Sequence, residues 1–241
     1  MRIAIVSDIH ANLEALRTFE SLSFVYDELY CLGDVVGYGP FPEACVSWIQ
    51  EHATIAIQGN HERALFDSHE RHLMNPVARD HILWTKRHLS SETSGIISLW
   101  PIDTKKFPFW ICHGSPDDPD RYITGPKEAS LAFYALEETG LFIALFGHTH
   151  YPGVVDEEGN FWYEINKPFL LQKGKRYLVN PGSIGQPRDG DKRASCCFLT
   201  SRRQGWEVRF VRYEYDISST IESMLSMGIR PELAYRLLTG R

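Results

Sequence analysis

Apolar runs that stop abruptly at short polar bursts give this chain its pattern. Ile3 to Val6 ends at Asp8-Ile9-His10, Thr54 to Ile57 at Gly59-Asn60-His61-Glu62, Phe109 to Cys112 at His113-Gly114, and Leu141 to Phe146 at Gly147-His148-Thr149-His150. Short apolar runs bounded by glycine and polar residues read as buried strands. From Met1 to about Gly59 they alternate with amphipathic stretches, so the segment reads strand, helix, strand, helix, strand. Asn12 is placed to cap a helix over Leu13 to Leu22, and Pro42 to open the second helix. That alternation predicts parallel strands joined by crossover helices, an α/β architecture.

Glu62 to Leu89 differs. It is rich in His and Arg and spaces Leu65, Phe66, Leu73, Val77, Ile82, Leu83 and Trp84 along helical faces, so it reads as helices broken near Pro76. Directly after Asn60-His61, segment 62–90 reads as a helical cap beside a site, with a surface helical pair as the equal alternative. After Gly95, the runs Ile96 to Leu99, Phe107 to Cys112 and Leu141 to Phe146 read as strands, with a helix from Pro126 to Glu138. The remainder is richer in β structure. A hairpin over Val154 to Tyr163 turns at Gly159-Asn160, and strands follow at Arg176 to Val179, Ala194 to Thr200 and Glu207 to Tyr213. A helix begins near Asp216, Gly228 punctuates it, and Pro231 opens a last short one. No repeat or low-complexity linker interrupts the chain, so residues 1–241 read as one domain.

With 43% hydrophobic and 23% charged residues, the chain has a globular composition with enough material for one sizeable core. No apolar run reaches membrane-spanning length, and a strand pattern starting at Arg2 leaves no room for a secretory leader. The expectation is a cytoplasmic protein with no membrane partner. Cys31, Cys45, Cys112, Cys196 and Cys197 follow no disulfide or zinc-ribbon spacing and read as buried packing in a reducing compartment. Cys196 and Cys197, adjacent in a strand, point to opposite faces. A formal net charge of −6 lacks the basic footprint of a protein that grips long nucleic acid, so no stable nucleic-acid binding is expected. No isolated apolar stripe marks an interface, which leaves oligomeric state open.

Ligands of open α/β sheets collect beyond the carboxyl ends of the strands, where the polar bursts and Gly33-Asp34 fall. Two metal ions about 3.5 to 4 Å apart, held by oxygen and nitrogen, can clamp both the attacking and leaving oxygens of phosphoryl transfer. Asp8 and His10 could reach one ion, and Asp34 is the natural bridging carboxylate. Asn60 offers an amide oxygen, and His113, His148 and His150 offer imidazole nitrogens. This mixture suits Mn, Fe, Zn, Co or Ni better than Ca. Two divalent ions against two carboxylates and one hydroxide leave net positive charge to attract a phosphate. They would also bring the pKa of a bridging water toward neutrality, so no serine or cysteine nucleophile is required.

Taken together, in order and spacing, the five segments resemble the motif set of the calcineurin-like metallophosphoesterase superfamily. Asn180-Pro181-Gly182-Ser183 resembles a loop of its small bacterial and archaeal phosphodiesterase branch, and Gly33 to Pro40 resembles enzymes related to dinucleoside polyphosphate hydrolases. The resemblance implies a four-layer α/β/β/α sandwich of two packed mixed sheets, with a dimetal site at one end. It implies Asp8, His10, Asp34 and His150 on one ion, and Asp34, Asn60, His113 and His148 on the other. His61 would then be the non-ligand histidine that protonates, or stabilises charge on, the leaving oxygen, a role suited to an imidazole.

The expected activity is hydrolysis of phosphodiester or phosphomonoester bonds in a small phosphorylated substrate, such as a nucleotide, by a hydroxide activated between two divalent transition-metal ions. A symmetrical dinucleoside polyphosphate hydrolase is the alternative within the same chemistry. A non-catalytic, metal-binding protein-interaction scaffold is the alternative of another kind, and the intact ligand set and His61 argue against it. The acidic balance and the lack of an appended nucleic-acid module disfavour a nuclease. Arg188, Arg63 and Tyr38 are candidate substrate contacts, each as readily an ordinary loop residue. His52, His69, His72, His81 and His88 fall in predicted helices and read as surface or capping residues.

Overall fold

The structure, a computed structural model describing residues 1–241, consists of two six-stranded mixed sheets. The first runs in the order β3 (Ile55–Ala56), β2 (Glu28–Cys31), β1 (Arg2–Val6), β11 (Ala194–Arg202), β12 (Gly205–Tyr213) and β9 (Phe169–Gln172). The second runs β4 (Thr104–Lys106), β5 (Phe109–Ile111), β6 (Ile143–Leu145), β10 (Tyr177–Asn180), β7 (Gly153–Asp156) and β8 (Phe161–Trp162). Strands β1, β2 and β3 are parallel, as are β5, β6 and β10. Antiparallel strands continue each sheet, and the β7–β8 hairpin turns through Gly159 at a φ of 85°.

Period-two alternation separates the layers. Ile3 and Ile5 join Phe109, Leu145, Val179 and Phe210 in the core between the sheets, while Ala4 and Val6 face helices α1 (Leu13–Ser21) and α2 (Pro42–His52). Trp110, Ala144 and Leu178 face outward from the second sheet onto α7 (Pro126–Thr139). Layers therefore stack as α/β/β/α. Cys196 packs with the helix-covered core and Cys197 with the inter-sheet core, on opposite faces, and all five thiols are buried and free. No helix is long and apolar enough to cross a membrane.

The caps read from sequence form as hydrogen bonds. Asn12 accepts from Ala15 N–H at 3.2 Å, and Asp216 accepts from Ser219 N–H at 2.9 Å to start α8 (Ile217–Ser226). Segment 62–90 folds into α3 (Asn60–Phe66), α4 (Ser68–Leu73) and α5 (Pro76–His88), with Asn75 capping the last. One expected strand is a helix instead: Ile96 to Leu99 close α6 (Ser91–Leu99), whose N-cap Ser90 accepts from Thr93 N–H at 3.0 Å. Four apolar residues carry too little periodicity to separate strand from helix, and the serine cap decides it. Strands β4 and β9, not singled out in the sequence, pair antiparallel with β5 and β12.

The loops after β1, β2, β3, β5, β6 and β10 meet at one rim of the sandwich. They are laced together by main-chain bonds: Asp8 N–H donates to Gly33, His10 N–H to Asp34, Gly147 N–H to His113 and Gly185 N–H to Asp8. Asn180, buried at the end of β10, ties the rim further by donating to the Gly147 carbonyl at 2.7 Å and Thr149 Oγ1 at 3.0 Å while accepting from Gly182 N–H. Replacing Asn180 by Ala strands those partners in the interior, at about 1–3 kcal/mol per orphaned group. Chemical denaturation of Asn180→Ala is expected to show a loss of about 2 kcal/mol or more, and a loss below about 0.5 kcal/mol would refute the pinning role.

Candidate active site

Five of the polar side chains at this rim sit on left-handed backbone. Asp8, His10, Asp34, His148 and His150 have φ values between 49° and 64°. Asp, Asn and His enter this region more readily than other non-glycine residues, yet so many at one place mark a geometry imposed by the interlocked loops. Glu62 holds part of it. Its carboxylate, buried at the third position of α3, accepts from the N–H groups of Asp34 at 2.8 Å, Val36 at 3.0 Å and Gly59 at 2.8 Å. Burial and the Asp34 charge push Glu62 up to about 7, with the amide donors opposing.

Four imidazoles are oriented through backbone carbonyls. His10 Nδ1 faces the Val36 carbonyl at 3.1 Å, His113 Nδ1 that of Leu32 at 2.7 Å, and His150 Nδ1 that of Gln186. Carbonyls only accept, so each Nδ1 carries the proton and each Nε2 turns a lone pair inward. His148 is reversed, with Nε2 on the Asp120 carbonyl at 3.1 Å and Nδ1 inward. The inward nitrogens face each other in pairs: His10 Nε2 and His150 Nε2 are 3.2 Å apart, as are His148 Nδ1 and His113 Nε2. Two lone pairs at that distance repel unless a proton or a metal cation stands at them.

Carboxylates complete the cluster. Asp8 Oδ1 lies 3.1 Å from His150 Nε2 and 3.9 Å from His10 Nε2. Asp34 Oδ2 lies 3.3 Å from His113 Nε2, 3.8 Å from His10 Nε2 and 4.0 Å from His61 Nε2, so it faces both pairs. Three groupings have ligand atoms within 4.8 Å of one another: Asp8, His10 and His150; His10, Asp34 and His61; Asp34, His113 and His148. Asp8 Oδ1 and Asn60 Oδ1 are buried with no hydrogen-bond partner. Burial raises both aspartates, but the surrounding imidazoles outweigh it and hold them below the usual carboxylate range. Burial lowers His148 to about 3 and keeps His10 and His150 low, the neutral form that ligates metal. At His113 burial is overcome by Asp34, raising it to about 9, which marks where the cluster demands positive charge. Orphaned buried oxygens, inward lone pairs and uncompensated carboxylates together fit divalent metal.

His61 lies in the first turn of α3 beside this cluster, its N–H on Asp34 Oδ1 at 3.0 Å. Burial drives it down to about 4, Asp34 opposing. Its ring is wedged between those of His10 and Tyr38, with centroids 4.8 and 4.6 Å away. Gly37, at a φ of 86°, lies so close that a Cβ there would fall 2.0 Å from His61 Nδ1. Tyr38, also left-handed, is held by its N–H donating to His81 Nδ1 at 2.9 Å. His81 is therefore a buried support of the Tyr38 turn, correcting the surface or capping role expected for it; the sequence shows only a histidine on a helix.

Around the cluster opens a cleft of about 290 Å³. Arg188 and Tyr38 line it, as do Leu73, Met74 and Ala78 from segment 62–90. Arg188 donates to Gln186 Oε1 at 3.0 Å, while the neighbouring Asp189 is committed to Arg212. Arg63, expected as a substrate contact, does not line the cleft: its guanidinium is paired with Asp120 and lies 3.6 Å from Glu70. It steadies the Asp120 segment that orients His148. Asp120 and Tyr122 carry no sequence signal beyond ordinary loop residues, and the sequence assigns no role to Glu62, the last residue of the Gly59-Asn60-His61-Glu62 segment, because these roles depend on contacts across the rim.

His81 supplies a pH test. Burial lowers it to about 3 from an ordinary value of 6.5, so the folded protein keeps it neutral while the unfolded chain protonates it. Its contribution to stability is complete above about 6.5 and is lost as pH falls from there toward 3. His81→Asn keeps an acceptor for Tyr38 N–H without the titration. The variant is expected to lose less stability than the wild type between pH 8 and pH 4.5 in urea unfolding; identical losses would refute this reading.

The sequence pattern of the calcineurin-like phosphoesterase superfamily domain matches residues 1–204. An uncharacterized protein of Methanocaldococcus jannaschii is 34% identical over an alignment 249 positions long, covering 99% of this chain and 98% of that one. The crystal structure of a metallophosphoesterase from Sphaerobacter thermophilus superposes with a TM-score of 0.89 at 35% identity, covering all of both chains. A hypothetical protein of Pyrococcus horikoshii shares the fold at a TM-score of 0.76 and 18% identity, over 100% of this chain and 98% of that one. By sequence match and by full-length likeness, this chain belongs to the calcineurin-like phosphoesterase superfamily.

Proposed function

We propose that the protein hydrolyses small phosphoesters with two divalent transition-metal ions. The observation that carries this reading is the pairing of inward imidazole nitrogens at 3.2 Å, in a buried cluster with two carboxylates. Asp8, His10, Asp34 and His150 would hold one ion, and Asp34, Asn60, His113 and His148 the other. Bound there, the ions would supply Lewis-acid polarisation of a phosphoryl oxygen and an activated water.

The chain's own residues then divide the remaining work. Asp34 faces both ligand groups and fixes their separation. Carbonyls of Val36, Leu32, Gln186 and Asp120 hold the imidazole tautomers, support that in metal sites is worth about 10–100-fold in affinity or activity. His61, with Nδ1 buried against Gly37, turns Nε2 toward Asp34 and the cleft. A bound phosphate anion raises its pKa and lets Nε2 carry the proton to the departing oxygen. Arg188 offers its guanidinium to non-bridging oxygens. Segment 62–90 acts as a cap over one wall, within a single domain. At about 290 Å³ the cleft lies at the small end of ligand sites, which favours a compact mono- or diester over a dinucleoside polyphosphate.

Metal analysis of the purified protein, joined to a panel of phosphomonoesters, diesters and anhydrides with added Mn, tests the proposal. Turnover of a compact ester is expected, with Asp34→Asn losing metal and about 100-fold or more of the activity. His61→Gln is expected to keep its metal content and lose about 10²–10⁴-fold in kcat. A protein that binds no transition metal, or an Asp34→Asn variant as active as the wild type, would end the dimetal mechanism, and a metal-loaded protein that turns over none of the panel would leave the scaffold reading.

A further inference from the structure

Tyr122 lines the cleft, on the chain just beyond Asp120. Its ring packs on that of His148, with centroids 3.8 Å apart and 34° between the planes, yet 45% of the residue is exposed. The His148 side of the ring is covered, and nearly half of the residue is open. Leu73, 68% exposed, and Met74 line the same cleft from the end of α4. The Asp and His residues and the Arg188 guanidinium form the charged end of the cleft, and Tyr122, Leu73 and Met74 line it elsewhere together with Glu70, Asn75 and Asp120. Because Tyr122 lies directly on the His148 ring, its open side is a single ring's width from the cluster.

We propose that Tyr122 is a specificity residue, whose open side stacks a planar aromatic group, such as an aryl ring or a nucleobase, carried on the substrate's phosphorus. This assignment rests on the phosphoesterase reading and narrows its substrate class to aromatic phosphoesters. The anionic phosphorus centre goes to the Asp/His cluster and Arg188. The planar group replaces water on Tyr122. Stacking tolerates any flat π-system, so the shelf selects for planarity rather than for one base. Alkyl and inorganic phosphates fill only the charged end.

The test uses the Mn-loaded protein and two non-hydrolysable probes of like charge, phenylphosphonate and methylphosphonate, titrated by calorimetry into wild type, Tyr122→Phe and Tyr122→Leu. Methylphosphonate reports the charged end alone, so the ratio of the two affinities isolates the shelf. The wild type and Tyr122→Phe are expected to prefer phenylphosphonate about tenfold, and Tyr122→Leu to retain about twofold or less. Equal affinities in the wild type, or a preference unchanged in Tyr122→Leu, would overturn the assignment. So would a Tyr122→Leu variant that loses methylphosphonate too, since the ring would then serve to hold His148. A wild type that binds neither probe would overturn the phosphoesterase reading and this assignment with it.

Discussion

Two carboxylates and four imidazoles buried at the shared rim of two sheets are the constraint on which the rest of this structure depends. Charged and polar groups are costly in an interior unless paired, and the pairing here is incomplete without added positive charge. Asp8 and Asp34 are fully or almost fully buried, and the imidazoles beside them have given their outward protons to carbonyls. What faces inward is a set of imidazole nitrogens and negative oxygens, and His113, raised to about 9 beside Asp34, shows that the set draws positive charge. The fold keeps them together through loops that cannot relax separately, since each is bonded to the next.

The two sheets divide this task. β1, β2 and β3 deliver Asp8, His10, Asp34, Asn60 and His61, and the second sheet delivers His113, His148 and His150 from β5 and β6. Packing the sheets against each other is therefore also the act that assembles the cluster. The loop after β10 locks the join: Ser183 Oγ donates to the Asp8 carbonyl at 2.7 Å, and Gln186 presents its carbonyl to His150. Asn180-Pro181-Gly182-Ser183 serves as a fastener between loops of both sheets, which explains why a segment without ligand-type side chains sits beside the site.

Outside the cluster, helical segments set the shape of the cleft. α5 supports the Tyr38 turn through His81 and joins α8 and α9 (Pro231–Tyr235) in a small apolar core that includes Tyr38, Ile221 and Leu233. The C-terminal helices thereby brace a turn that presses on His61. Arg63 plays a similar supporting part, one step removed from His148.

Strand-end position, residue type and order along the chain were sufficient to read the α/β class and the residues that meet at the rim, while the two packed sheets were implied by the family resemblance of those segments. These features are local: an apolar run, a glycine, then Asp or His where a chain leaves a sheet. Caps such as Asn12 and Asp216 were legible for the same reason. Four residues from Ile96 to Leu99 were not, because so short a run has no resolvable period. Nor could sequence place His81 under Tyr38, turn Arg63 away from the cleft, or set Tyr122 on His148. Those outcomes depend on contacts between residues 26 or more positions apart. The sequence by itself determined which chemistry could be assembled; only the packing of two sheets and their flanking helices decided which side chains support it and which face the cleft.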